Sequence, residues 1–327
     1  MHSNLLTKVS VEGALLDPAA DFPLVLTPSC GIGDLPQWIA AHRNELEQYL
    51  LCHGAVLFRG FGLAGAADFE ALAELISPGL YGEYGDLPRQ EGGRNTYRST
   101  PYPERKMILY HNESAHLSRW PRRQFFFCEI AASQGGATPI VDCREVLRRL
   151  PAALVETFER KQLMYVRTFT QGLDVPWRDF FGTAERQVVE ARCIAEGVEF
   201  EWLAQDELQT RTLCPAVLTH PLSGERSFFN QVQLHHIACL DPDLREDLLD
   251  LVGPQRMPRQ VYFGDGSPID DATMALIGAV YEACAVRFAW QAGDLLMLDN
   301  MLVAHARDPY QGPRKIVVAM SEMFDRP

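Results

Sequence analysis

The chain predicts a mainly β protein with flanking helices, a sandwich or barrel of the jelly-roll kind. Three observations carry this. Short apolar runs bounded by turn residues concentrate toward the two ends of the 327-residue chain, with helical patterns between them. No strand–helix alternation of the βαβ type and no glycine-rich phosphate loop occurs, which argues against a dinucleotide-binding sheet. Proline and glycine are spread through the sequence, 21 and 24 of them, as in a loop-rich β protein.

Taken in order, Leu35 to Cys52 reads as a helix, with apolar positions at Trp38, Ile39, Leu46, Tyr49 and Leu50. Gly54-Ala-Val-Leu-Phe-Arg-Gly60 reads as a buried strand between glycines, and Ala67 to Ile76 as a second helix. Met107 to Tyr110, Gln124 to Glu129 and Thr138 to Val141 read as strands. Asp142 to Leu150 reads as a helix with Asp142 as its N-cap. Residues 151 to 215 mix helix and loop signals. Ser227 to Phe229, Leu295 to Leu298 and Lys315 to Met320 complete the strands. The whole is expected to be a single domain over 1–327 with a helical and loop insertion around 150–215.

The formal net charge of −13 repels phosphate backbones and anionic bilayers, so nucleic-acid and membrane partners are not expected. No uninterrupted apolar run is long enough to span a bilayer. The first 17 residues lack a secretory leader's order of basic, apolar and small segments, which makes a cytoplasmic protein the expectation. The eight scattered cysteines, with no Cys-x-x-Cys pair, read as buried reduced thiols and not as a zinc site.

The strongest chemical signal is Tyr110-His111-Asn112-Glu113. On an extended segment residues i and i+2 face the same side, so His111 and Glu113 can present an imidazole nitrogen beside a carboxylate oxygen. His305, after the apolar run Leu295 to Leu298, can supply a third ligand. Two histidines and one carboxylate on one face of an octahedron suit Fe(II) and leave the other face open for O₂ and a co-substrate. Alone, the His-x-Glu pair equally fits two polar side chains at a strand edge. His116 reads as a neighbour of the site or a surface residue. His220 reads as structural, and adjacent His235 and His236 face opposite ways.

A 2-oxo acid chelating iron needs a buried cation for its far carboxylate, best a guanidinium. Arg314 stands nine residues past His305, just before a strand, and Thr138 in Gly135-Gly-Ala-Thr-Pro can add a hydroxyl.

These motifs together resemble the TauD/TfdA family of Fe(II)/2-oxoglutarate dioxygenases: His111-Asn-Glu113, Gly135-Gly-Ala-Thr138-Pro and His305-Ala-Arg-Asp-Pro-Tyr-Gln-Gly-Pro-Arg314. The resemblance is closest to the syringomycin-pathway hydroxylase branch. It continues through Tyr97-Arg-Ser-Thr100-Pro-Tyr-Pro, Tyr165-Val-Arg-Thr-Phe, Trp177-Arg-Asp-Phe-Phe-Gly-Thr, His220-Pro-Leu-Ser-Gly-Glu225 and Phe228-Phe-Asn-Gln231, roughly residues 50 to 325. It implies a double-stranded β-helix (jelly-roll) core. It implies His111, Glu113 and His305 as iron ligands, and Arg314 and Thr138 as 2-oxoglutarate contacts. Many relatives use Asp where this chain has Glu113, whose oxygen lies one bond further out. Arg307 also matches the branch, its contact open between co-substrate, substrate and neither.

What the resemblance implies for chemistry is hydroxylation of an unactivated C–H bond of an amino acid or derivative, in natural-product biosynthesis of the non-ribosomal peptide type. Desaturation or cyclisation would start from the same hydrogen abstraction. Halogenation is disfavoured because Glu113 fills the place a halide needs. From other classes, a zinc hydrolase or a non-catalytic metal-binding barrel would use the same triad but leave the 2-oxoglutarate contacts without purpose. Tyr97, Ser99, Asn112, Phe229 and Asn230 are the candidate substrate contacts. A free amino acid is favoured over a carrier-linked one, because an acidic chain repels an acidic carrier. The basic residues Arg119, Arg122, Arg123, Arg144, Arg148 and Arg149 are the candidates that would reverse this by forming a docking patch.

Overall fold

Two apolar runs without alternation, Ala55–Phe58 and Leu295–Asp299, lie side by side in a seven-stranded sheet. The computed structural model describes residues 11–17, 19, 21–29, 35–82, 90, 93–99 and 102–326. Met1 to Ser10, Cys30, Thr100 and Pro101 lie outside these, so the expectations that fall on them stand as sequence readings. The described chain is β-rich with several helices, and it divides into two compact units.

The first unit comprises Met1–Ile108, Pro121–Asp142 and Val286–Met323. Its large sheet runs in the order Val11–Asp17, Phe22–Pro28, Ala55–Phe58, Leu295–Asp299, Arg119–Ile130, Lys315–Asp325, Tyr97–Arg98. Phe22–Pro28 pairs with Ala55–Phe58 in parallel, whereas Leu295–Asp299 is antiparallel to both of its neighbours. Alternate residues feed two cores. Val56, Phe58, Phe125, Phe127, Leu295 and Met297 face one, together with Ile39, Leu46 and Leu50 of the helix Leu35–His53 and Phe69 and Leu72 of the helix Ala66–Ile76. Ala55, Leu57, Phe126, Leu296, Leu298 and Val318 face the other, with Phe288 and Trp290. Burial on both faces is why these strands read as continuous apolar runs.

A smaller ladder in the same unit carries His305. The strand Val303–Arg307 runs antiparallel to Ile140–Asp142, with His305 opposite Ile140. The pairing continues past the strand end, where the amides of Ala306 and Asp308 donate to the carbonyls of Pro139 and Ala137. Tyr310 then lies opposite Gly135. Gly135 and Gly136 both have positive φ, and a side chain at Gly135 would strike the Pro309 carbonyl at 2.2 Å.

The second unit comprises Leu109–Trp120, Cys143–Ala285 and Phe324–Pro327. It holds a four-stranded antiparallel sheet in the order Glu199–Trp202, Leu208–Cys214, Leu163–Phe169, Arg259–Phe263. The stretch expected as helix and loop therefore carries three strands. Leu163–Phe169 is a central strand with six of its seven residues buried, so the period-2 signal that would have revealed it is missing. A local core of Phe169, Trp177, Val189, Cys193 and Leu208 packs with Phe180 and Trp202. Ser227 to Phe229 is a strand only at Arg226–Ser227.

No described cysteine is disulfide-bonded. Cys128, Cys143, Cys193 and Cys214 are buried as expected, whereas Cys52 is exposed and Cys239 and Cys284 are half-buried. No helix among the described residues is long and apolar enough to cross a membrane.

Candidate active site

The strand Ile108–His111 ends on the first candidate ligand, and the chain turns at Ser114 with φ 59°. His111 and Glu113 are both buried, and a ring nitrogen of one lies within 4.8 Å of a carboxylate oxygen of the other. His111 Nδ1 is 2.8 Å from the Leu109 carbonyl oxygen. A ring nitrogen facing a carbonyl must carry the proton, which makes Nε2 the lone-pair nitrogen that a metal uses. Burial pushes the His111 pKa below its usual range, against the opposing pull of Glu113 and the Leu109 carbonyl. The neutral ring is the metal-binding form.

Asn112, between the two ligands, is fully buried and engaged inside the protein. Its Oδ1 accepts the Asn230 amide at 3.0 Å, its own amide donates to the Asn230 carbonyl at 3.1 Å, and its carbonyl accepts Gln231 Nε2 at 2.9 Å. These bonds pin the His-Asn-Glu turn to the 230–231 turn. Phe229 is fully buried, its ring 5.1 Å from that of Trp120. Asn230 Oδ1 accepts the Val232 amide at 3.2 Å. For these three residues, proposed above as substrate contacts, the observed partners are protein groups.

His116, five residues past His111, is buried against two rings distant in sequence, one tilted and one edge-on. Its ring lies 4.9 Å from His235 and 6.1 Å from Tyr165. The surface alternative for it is thereby corrected: the fold brings His235 and Tyr165, both distant in sequence, against it. His220 is structural as expected, its Nδ1 accepting the amides of Leu222 and Ser223.

In the first unit, His305 is buried on its strand, its ring edge-on to Phe126 at 4.9 Å. Thr138 lies just before the adjoining strand, which begins at Ile140 and not at Thr138 as expected. Arg314 Nε donates to the Gly136 carbonyl at 2.9 Å and Nη2 to Thr138 Oγ1 at 3.3 Å. Its guanidinium also lies over the Tyr310 ring at 5.5 Å. Among the described residues no carboxylate pairs with Arg314. Burial, and next the charge of Arg307, push its pKa down to about 10. A half-buried guanidinium without an anion is costly to leave unpaired. Sequence reasoning missed Trp290, whose indole N–H donates to Thr138 Oγ1 at 3.0 Å. Nothing in its flanking Ala-Trp-Gln pattern marks it.

Arg307 has a different use. It donates to the carbonyls of Tyr102, Pro103 and Lys106 at 2.7 to 3.1 Å and lies between the Tyr102 and Tyr310 rings. It clamps the loop that precedes the His-x-Glu strand. Tyr97 is buried with its hydroxyl donating to the Tyr81 carbonyl, and the half-buried Ser99 donates its amide to Ile316.

Of the arginines considered above as a docking patch, Arg122 and Arg123 are not at the surface. Arg122 and Arg123 are buried and ion-paired with Glu47, Asp299 and Glu322. Arg119 pairs with Asp325, Arg144 with Glu225, and Arg148 and Arg149 with Glu145. Arg119, Arg122, Arg123 and Arg144 meet acidic partners distant in sequence, whereas Arg148 and Arg149 pair with Glu145 on their own helix.

Residues 23–320 match the family model described as taurine catabolism dioxygenase TauD, TfdA family. The chain belongs to the TauD/TfdA family. It is a non-haem iron, 2-oxoglutarate-dependent dioxygenase, which removes the zinc-hydrolase and non-catalytic alternatives. This TauD/TfdA enzyme is 33% identical over 297 residues to the dapdiamide synthesis protein DdaC of Enterobacter agglomerans, covering 90% of each chain. It is 29% identical over 316 residues to a clavaminate synthase-like protein of Arabidopsis thaliana, covering 93% of this chain and 91% of that one. Its fold is shared with PvcB of Pseudomonas aeruginosa (TM-score 0.55, 15% identity, 98% of this chain and 94% of that one). A taurine dioxygenase from Burkholderia xenovorans shares it as well (TM-score 0.55, 16% identity, 95% and 89%). Within the second unit, the buried imidazole of His111 beside the buried Glu113 carboxylate is a donor pair that fits iron.

Proposed function

We propose that this dioxygenase hydroxylates an unactivated C–H bond of an amino acid or amino-acid derivative in a natural-product pathway. The observation that carries this is the 33% identity to DdaC over nine-tenths of both chains, since DdaC belongs to dapdiamide synthesis. In this reading His111, Glu113 and His305 hold the iron, and the sheets form the double-stranded β-helix of one catalytic domain. Arg314 and Thr138 take the far carboxylate of 2-oxoglutarate, supported by the half-buried charge of Arg314, which no carboxylate among the described residues pairs. When bound, iron, 2-oxoglutarate and O₂ supply the oxidising power for hydrogen abstraction. The protein's part is to fix the ligands' tautomers, anchor the co-substrate and hold the substrate away from water.

The free substrate is favoured over the carrier-linked one, because the arginines that would dock an acidic carrier are engaged in ion pairs of the protein's own. The test is oxygen-dependent succinate release with a panel of amino acids, each presented free and carrier-linked, followed by mass spectrometry. A product heavier by one oxygen atom, formed from the free amino acid, is the expected result. A product lighter by two hydrogens would replace hydroxylation by desaturation or cyclisation. Turnover on the carrier alone would reverse the free-substrate reading.

A further inference from the structure

We propose that Trp290 is a positioning residue for the co-substrate: its indole fixes the Thr138 hydroxyl as a hydrogen-bond donor toward the far carboxylate of 2-oxoglutarate. The inference rests on the assignment of Arg314 and Thr138 to that carboxylate.

A threonine hydroxyl has one proton and two acceptor lone pairs. At Thr138 both acceptor directions are used by protein donors. Trp290 Nε1–H approaches Oγ1 at 3.0 Å, and Arg314 Nη2–H approaches the same oxygen at 3.3 Å. Neither donor can accept a proton in return, because indole N–H and guanidinium are donors only. The Thr138 proton therefore cannot turn toward either. It remains for an acceptor at the place where Arg314 directs its remaining N–H groups, and a carboxylate there receives a neutral donor and a charged one together. With Arg314 alone on the oxygen, the hydroxyl has a second lone-pair direction open and the proton can rotate away from the ligand.

The indole is held for this task. Trp290 is buried in the core that holds Phe126, Leu296 and Val318, with Phe288 against it at 4.9 Å. It lies 152 residues from Thr138 in sequence. A tryptophan serving only as packing has no need to aim its N–H at this oxygen, although a buried indole N–H does need some acceptor.

The test is calorimetry on the Mn(II)-loaded enzyme with two ligands. 2-Oxoglutarate carries the far carboxylate; oxalate chelates the metal without it. Trp290→Phe keeps a ring and removes the N–H. It is expected to weaken 2-oxoglutarate about three- to ten-fold, the size of one neutral hydrogen bond, and leave oxalate unchanged. In a Thr138→Val background the same substitution is expected to have no further effect, because the intermediary is gone. Trp290→His, which keeps a ring N–H, is expected to recover part of the loss and serves if the Phe variant does not fold. Unchanged 2-oxoglutarate affinity in Trp290→Phe, an equal loss in the Val background, or a parallel loss of oxalate would each overturn the inference. Arg314→Ala separates the two layers. If it too leaves 2-oxoglutarate affinity unchanged, the co-substrate assignment itself fails; if it weakens affinity while Trp290→Phe does not, only the role of Trp290 is lost.

Discussion

Arg314 brings a positive charge into a buried ladder where its protein partners are a carbonyl, a hydroxyl and a ring face. Removing it should cost the co-substrate one charge-assisted contact, about 1.5–3 kcal/mol, or roughly a ten- to hundred-fold higher 2-oxoglutarate requirement. Titration of succinate release against 2-oxoglutarate measures this; an unchanged requirement would remove Arg314 from the site. His111→Ala, Glu113→Ala and His305→Ala should each lose iron in equilibrium dialysis while keeping a cooperative melt. Retained iron in any one of them strikes that residue from the triad. Asn112 gives the contrasting case. Its side chain bonds the Asn230 amide in a fully buried place, so Asn112→Ala leaves a donor unsatisfied. The expected result is a loss of about 1–3 kcal/mol in denaturant stability, with the order of preferred substrates unchanged. A switch in substrate preference at full stability would restore it as a substrate contact.

At the scale of elements, the loop 102–106 is held by Arg307 from the strand Val303–Arg307, through three carbonyl bonds. The sequence offered Arg307 through its match to the family branch, with its contact open between co-substrate, substrate and neither. It could not show that three carbonyls would converge on the guanidinium. Arg307→Ala should raise amide exchange in the 102–107 segment selectively, measured by hydrogen–deuterium exchange, with the Leu295–Asp299 strand still protected. Uniform exchange across both segments would mean a global loss of stability in place of a released loop. Helices show a complementary lesson. Pro242–Val252 and Asp271–Cys284 were not anticipated, yet both begin on a cap legible in sequence. Asp241 precedes Pro242 and accepts the Asp243 amide, and Asp270 accepts the Thr273 amide at 2.7 Å.

At the scale of the molecule, net charge and local ion pairing point the same way. The chain carries 43 acidic against 30 basic residues, and buried arginines find carboxylates far away in sequence. Arg122 bonds Glu47 at 2.8 Å, Asp299 at 3.2 Å and Glu322 at 2.8 Å. Burial raises the Glu47 pKa, but the bonds and charges of Arg122 and Arg123 outweigh it and hold the carboxyl below its usual range. A carboxylate depressed in the folded state contributes stability above its unfolded pKa, about 4.3 for glutamate, and loses it as pH falls through the folded value. Wild type should therefore exceed Glu47→Gln in denaturant stability at neutral pH, and the gap should narrow below about pH 4.3. A gap that stays constant to acid pH would remove Glu47 from the linkage. Arg122→Glu with Arg123→Glu would set two new carboxylates among three existing ones. It is expected to prevent folding, not to change carrier-linked turnover selectively; a folded variant with only carrier activity lost would reinstate the docking patch.

The sequence by itself determined the family and most core strands of the first unit. Apolar runs such as Ala55–Phe58 and Leu295–Asp299 are local signals, and the ordered motifs from His111 to Arg314 need no coordinates to be read. It also named the candidate ligands, because imidazole and carboxylate at i and i+2 carry their chemistry in their spacing. What only the tertiary structure decided were pairings between groups distant along the chain. Trp290 bonds Thr138 from 152 positions away, Arg122 meets Glu322 across 200, and Arg307 closes on carbonyls that any residue type could offer. A guanidinium or an indole N–H is the same in sequence whether it meets solvent, a carboxylate or a carbonyl. Which of these it meets is set by register and burial, and those exist only once the chain has folded.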